Sequence, residues 1–151
     1  MSETPGRPSI GRRVLRALNA PIGRSVLCIF IGFVVVVAIT LITDVVLHKI
    51  HFYPPLGEYT SGRALIWATV YRTIYGVIGS CVTARLAPNR PMMHALIGGA
   101  IGTVIATAGA IATWNHVPPL GPHWYPVSLI IGALPTAWLG AQIRIMQTAP
   151  R

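Results

Sequence analysis

Acidic residues are scarce in this chain of 151 residues, where three Asp and Glu stand against twelve Lys and Arg. Charged residues make up 10% of the sequence, less than half of the ~25% that is usual in soluble domains. Hydrophobic residues make up 53%, more than a soluble fold of this length can bury. The composition also excludes a disordered chain, because disordered chains are polar. It predicts a protein that lies in a lipid bilayer.

Cysteines and catalytic motifs are scarce too. Cys28 and Cys81 lie in apolar segments without CxxC spacing, which is typical of buried thiols rather than a disulfide. The sequence has no GxSxG motif, no phosphate-binding glycine loop and no HExxH motif, so we expect neither enzyme activity nor a cofactor. The net charge of +9 does not indicate nucleic acid, because the basic residues flank apolar runs, where they contact phospholipids.

Four apolar runs are each long enough to cross a membrane, which takes about 20 helical residues. They cover approximately residues 26–47, 64–84, 95–114 and 125–143. Backbone N–H and C=O groups must be paired within lipid, so each run is predicted to be a helix. The predicted fold is all-α: an integral membrane four-helix bundle of two helical hairpins over residues 25–145.

A basic leader, residues 1–24, and a short tail, residues 146–151, are predicted to flank this domain. One helical face of the leader holds four apolar residues: Ile10, Val14, Leu15 and Leu18. This pattern suits a short helix in the headgroup layer, although a disordered basic leader fits equally well. Pro21 and Gly23 are expected to separate the leader from the first span.

Lys and Arg are distributed unequally between the two sides of the predicted bundle. One side holds nine arginines: Arg7, Arg12, Arg13, Arg16, Arg24, Arg85, Arg90, Arg144 and Arg151. The other side holds only Lys49 and Arg63. Short cytoplasmic flanks carry the excess of basic residues, so we predict an inner-membrane protein with both termini in the cytoplasm.

Small residues recur at four-residue spacing in three spans. Helices in lipid associate through close backbone approach, which small residues permit. The predicted packing positions are Gly76, Ser80, Gly98, Gly102, Gly132 and Gly140. Pro135 is expected to kink the fourth span, because it removes one backbone hydrogen bond.

Two charges lie inside the predicted spans. Arg72 shares the stripe of Gly76 and Ser80, and Asp44 lies near the outer end of the first span. A charge at the centre of a lipid-facing helix costs roughly 2.5–3.5 kcal/mol, so we predict that Asp44 and Arg72 form a pair. The pair is either a structural bridge that docks the first hairpin or part of a functional polar site.

Other polar residues near the same side predict an outer vestibule. Its candidates are Thr40, His48, His51, Glu58, Tyr71, Tyr75, His116 and His123. Thr40, Asp44, His48 and His51 follow one helical face at spacings of four, four and three, as neighbours on a helix do. The four histidines offer ligands for zinc, yet no metal-binding motif accompanies them, so a metal-free vestibule is the alternative.

The two predicted outer loops repeat a short pattern. The first reads HFYPPLG from His51, and the second reads HVPPLG from His116. This echo fits two hairpins related by an axis along the membrane normal. Convergence of two loop tips explains it equally well.

The second half of the chain resembles a loosely defined group of small four-helix bacterial inner-membrane proteins without an assigned activity. The residues that carry the likeness are Tyr71-Arg72 with Gly76, Thr83 to Pro88, Arg90 to Met92, His94-Ala95 with Gly98, Pro122 to Pro126, Pro135, and Trp138 to Gly140. The resemblance implies a membrane location and four helices. It implies no substrate or cofactor.

The patterns predict a non-enzymatic structural or accessory subunit that acts in the bilayer with itself or with another membrane protein. One alternative is a small transporter or channel with an outer polar vestibule. The other alternative is an outward-facing metal-binding module.

Overall fold

The computed structural model describes residues 21–55 and 57–148. Within these ranges the chain is all-α and has no strands. Its helices are α1 (Pro21–Lys49), α2 (Gly62–Leu86), α3 (Pro91–Thr113) and α4 (Trp124–Thr148). All four are long and apolar enough to cross a membrane, which confirms the prediction of four apolar helices. The predictions for residues 1–20 and 149–151 lie outside the described residues.

Each helix differs from its predicted span at the ends. α1 begins at Pro21, so Pro21 and Gly23 belong to the helix rather than to a break before it. Proline is favoured in a first turn, because the N–H that it lacks would have no helical partner there. α4 continues through Pro135 and ends at Thr148.

Small residues let α2 and α4 approach closely. A Cβ atom built on Gly140 would lie 2.7 Å from Cβ of Ser80 and 2.8 Å from the backbone nitrogen of Cys81. A Cβ atom on Gly76 would lie 3.1 Å from Oγ1 of Thr136. These distances leave no room for a larger residue at Gly140. The structure therefore places three predicted packing residues, Gly76, Ser80 and Gly140, in one interface.

Two further contacts depend on glycines outside the predicted set. A Cβ atom on Gly79 of α2 would lie 2.8 Å from the carbonyl oxygen of Gly32 in α1. A Cβ atom on Gly99 of α3 would lie 2.6 Å from Cβ of Ala137 in α4. These two contacts join α1 to α2 and α3 to α4.

The remaining predicted packing glycines make looser contacts. A Cβ atom on Gly98 would lie 3.7 Å from Cγ2 of Ile29, an ordinary van der Waals distance. Space is open around Gly102 and Gly132, where such an atom would meet nothing within 4 Å. The four-residue pattern thus marks surfaces that face other helices, without specifying where two backbones touch.

The two loops that were predicted to be external meet at one end of the structure. The backbone N–H of Thr60 donates to the carbonyl of Leu120 at 2.8 Å. We call this the paired-loop end, formed by residues 50–55, 57–61 and 114–123. The echoed positions are not equivalent there, since Tyr53 is buried whereas Val117 is 88% exposed.

Candidate functional site

An ion pair joins α1 to α2 near the paired-loop end. Nη2 of Arg72 donates to Oδ2 of Asp44 at 2.7 Å. The hydroxyl of Tyr71 donates to Oδ1 of the same carboxylate. The structure therefore brings together the two residues predicted as an intramembrane pair and gives each carboxylate oxygen a donor. The side chains of Arg72 and Asp44 are 32% and 23% exposed, so neither is fully covered.

Three tyrosines surround this ion pair. Cζ of Arg72 lies 6.0 Å from the ring centre of Tyr71 and 5.8 Å from that of Tyr125, within the range of cation–π contacts. The hydroxyl oxygen of Tyr53 lies 3.4 Å from both the Tyr71 hydroxyl and the Ala64 carbonyl. Burial raises the pKa of Tyr53, so its hydroxyl keeps its proton at neutral pH. Tyr71 thus contributes both a ring to the guanidinium and a hydroxyl to the carboxylate.

One nitrogen of the guanidinium has no acceptor. Nε of Arg72 is buried and lacks a hydrogen-bond partner among the described residues. Buried donors normally find a partner, and an unpaired one raises the free energy of the folded state. Because this nitrogen is closed off from solvent, only the exposed part of the Arg72 side chain can meet a ligand.

A cavity of about 470 Å³ lies above the ion pair at the paired-loop end. We call it the paired-loop cavity. Its polar and aromatic lining residues include Asp44, His48, Tyr53, Glu58, Arg72, Trp114, His123 and Tyr125. Its volume falls within the ~300–1,000 Å³ that is usual for small-molecule sites. The predicted vestibule residues Asp44, His48, Glu58, Tyr71, Arg72 and His123 all contribute to its wall.

The formal charges around the paired-loop cavity nearly cancel. The negative charge of Asp44 is offset by the positive charge of Arg72, its partner in the ion pair. Glu58 is exposed and is the other acidic residue on the wall. The remaining wall includes the aromatic residues Tyr53, Trp114 and Tyr125, together with prolines, glycines and aliphatic residues.

The histidines do not converge on a common point. Nδ1 of His48 donates to the carbonyl of Asp44 at 2.7 Å, and Nε2 of His123 donates to that of Trp114 at 3.0 Å. His116 is exposed and donates to the carbonyl of Pro118. In the part of the chain that the structure describes, no group of three or more His, Cys, Asp and Glu residues is placed to hold a metal ion.

Four predicted vestibule residues lie off the cavity wall: Thr40, His51, Tyr75 and His116. His51 was expected to continue the face of Asp44 and His48, but α1 ends at Lys49 and His51 is exposed with a left-handed φ of 58°. The hydroxyl oxygen of Tyr75 lies 2.9 Å from Oγ1 of Thr43. Neither Tyr75 nor Thr40 is among the residues that line the paired-loop cavity.

Sequence reasoning missed Tyr53 and Tyr125 as parts of the site. Tyr53 lies within the first echoed loop, and Tyr125 follows the second loop. The aromatic residues beside both loops are visible in the sequence. Their proximity to Arg72 is not, because only the folded loops bring the two tyrosines to it.

A second cavity, of about 190 Å³, lies between all four helices. We call it the inter-helix cavity. Arg72 and Leu129 line both cavities, so the two adjoin at these residues. Gly98, Gly102 and Gly132 are among the glycines that line its wall. The open space at Gly102 and Gly132 belongs to this cavity.

No family model, curated protein or solved structure matches this chain. The resemblance to small bacterial inner-membrane proteins therefore stays a prediction. Function has to be argued from the geometry of the ion pair and the two cavities.

Proposed function

We propose that the chain is a multi-pass inner-membrane protein, a bundle of two helical hairpins with both termini in the cytoplasm. The distribution of Lys and Arg supports this orientation. Arg24, Arg85, Arg90 and Arg144 lie at the helix ends and the loop opposite the paired-loop end. The paired-loop cavity then faces the outer side of the membrane.

The proposed function is non-enzymatic binding of a small molecule in the paired-loop cavity, in the class of small transporters and channels. A single observation carries this proposal: the Asp44–Arg72 pair forms part of the wall of a ligand-sized cavity. A bridge that served only to dock two helices would need no ligand-sized cavity beside it. Here both partners keep part of their surface exposed.

Thermal unfolding in neutral phosphatidylcholine nanodiscs tests the proposal. We expect at least one of three small probes, acetate, methylammonium or methyl acetate, to raise the unfolding temperature, because a ligand that binds only the folded state stabilises it. The shift should disappear in Arg72→Gln. It should persist in Arg63→Gln, which removes an exposed arginine of the same helix. Absence of a shift for all three saturating probes would overturn the proposal.

An accessory subunit is the function that the sequence predicts first, with partners in the bilayer or a second copy of the chain. This role needs the ion pair only to hold α1 on α2. It predicts that Arg72→Gln lowers the folded yield and the recovery of a co-purified partner, while no probe changes the unfolding temperature of the native protein. The same thermal measurements therefore separate the two functions.

A further inference from the structure

Four of the five hydroxyl groups in the wall of the inter-helix cavity donate to carbonyls of their own helices, and Ser80 carries the fifth. Thr73 donates to the carbonyl of Thr69 at 2.7 Å, and Thr83 donates to that of Gly79 at 3.0 Å. On α4, Ser128 donates to the carbonyl of Tyr125 at 2.7 Å and Thr136 to that of Ala133 at 2.9 Å. Each of these hydroxyl protons is thus committed within its helix and is not offered to a ligand.

The two adjoining cavities therefore differ in chemistry. Apart from Arg72 at its boundary and the hydroxyl of Ser80, the inter-helix cavity presents mainly glycine, methyl groups and aliphatic side chains, such as those of Ile29, Val36 and Leu129. The paired-loop cavity presents an ion pair and aromatic rings. A molecule that extended through both would have a polar end at the loops and an apolar end between the helices.

The charges define the polar end further. Asp44 already neutralises Arg72, and Glu58 on the wall disfavours a second negative charge. The rings of Tyr71 and Tyr125, which would attract a ligand cation, already contact the guanidinium of Arg72. An uncharged head group meets neither obstacle, and an oxygen acceptor on it suits the partly exposed Arg72 side chain on the cavity wall, because a guanidinium carries only donors.

We propose that the ligand is an uncharged amphiphile, with a carbonyl-type oxygen beside Arg72 in the paired-loop cavity and a hydrocarbon chain in the inter-helix cavity. This inference rests on the proposed function and specifies the ligand class of the same site. The inter-helix cavity has more than ten times the ~10–15 Å³ that one water molecule needs, being about 190 Å³. It therefore has room for a short chain.

Equilibrium dialysis with nanodisc-embedded protein tests the ligand class. The probes are methyl acetate, methyl butanoate, methyl hexanoate and methyl octanoate, with empty nanodiscs subtracted and dissociation constants referred to the free aqueous ester. Each methylene that enters the apolar cavity should tighten binding up to about fourfold, which corresponds to ~0.8 kcal/mol per buried CH₂. Octanoate should bind at least tenfold more weakly than methyl octanoate.

A matched pair of variants locates the chain. Gly102→Leu fills the inter-helix cavity without meeting a neighbouring atom at its Cβ, so it should fold and weaken methyl octanoate at least tenfold. Ala100→Leu places the same side chain at an exposed position of α3 and should leave binding unchanged. Arg72→Lys keeps the charge opposite Asp44 but removes the guanidinium donors, and should weaken every ester.

The outcomes separate this inference from the proposed function. If the affinity of the esters does not increase with chain length, or if Gly102→Leu does not change it, the proposal of an amphiphilic ligand is wrong. Ligand binding at the paired-loop cavity would still stand. Octanoate that binds as tightly as its ester would overturn the uncharged head group. If neither the esters nor acetate and methylammonium bind at all, both proposals fail together.

Discussion

At the scale of single residues, the carboxylate of Asp44 joins α1 to α2 by accepting hydrogen bonds from two different donor groups. It accepts from the guanidinium of Arg72 and from the hydroxyl of Tyr71, and both bonds reach it from α2. A charge that leaves water needs such partners, because desolvation is costly when donors are missing. Removing only one charge of the pair therefore leaves the other charge without its counter-ion, whereas removing both leaves no unpaired charge.

A double-mutant cycle tests this coupling. We expect Asp44→Asn and Arg72→Gln each to lower the free energy of unfolding by about 1–3 kcal/mol, less than the ~3–5 kcal/mol of a fully buried pair, because both side chains are partly exposed. The double variant should lose about 0.5–3 kcal/mol less than the sum of the single losses. Unfolding by SDS titration from neutral micelles measures all four proteins. Simple additivity would mean that the two charges do not interact in the folded protein.

Two tyrosines of α2 form a natural comparison. Tyr71→Phe removes a hydrogen bond to a carboxylate, which is expected to cost about 1.5–3 kcal/mol. Tyr75→Phe removes a bond to the hydroxyl of Thr43, a loss of about 0.5–1.5 kcal/mol. The same SDS titration ranks the two variants. Equal losses would contradict a special role for the Tyr71–Asp44 contact.

At the scale of helices, contact between backbones holds α2 against α4. Gly140 is buried and lies against backbone and Cβ atoms of α2, which cannot move aside as a flexible side chain can. We expect Gly140→Val to lower the free energy of unfolding by about 1–3 kcal/mol through overpacking. Gly132→Val adds the same side chain to the same helix where space is open. A loss of stability in Gly132→Val as large as that in Gly140→Val would refute this account.

The helices and the ion pair were predictable because membranes impose simple rules. Long apolar runs must be helical in lipid, and a lone arginine within them needs a partner. Asp44 is the only acidic residue within the predicted spans. The paired-loop cavity was less accessible to sequence reasoning. Its wall depends on how Tyr53 folds back from the first loop and on the bond between Thr60 and Leu120. Neither the spacing nor the type of these residues specifies such loop conformations.

At the scale of the whole molecule, orientation in the membrane has a direct test. Asn89 and Asn115 are both exposed, one in the loop between α2 and α3 and the other at the paired-loop end. With Cys28 and Cys81 replaced by Ala, a membrane-impermeant thiol reagent should label Asn115→Cys in intact spheroplasts. It should label Asn89→Cys only after the membrane is permeabilised. The reverse pattern would place the termini outside and the paired-loop cavity in the cytoplasm.

The connection of Asp44 and Arg72 through consecutive helices also bears on biosynthesis. A ribosome delivers α1 first, so its carboxylate already resides in the bilayer when the arginine of α2 follows. An arginine that entered lipid alone would oppose insertion by roughly 2.5–3.5 kcal/mol. If Arg72 enters beside the carboxylate of Asp44, its charge can be neutralised at the moment of its transfer. This happens before the second pair of helices has been translated.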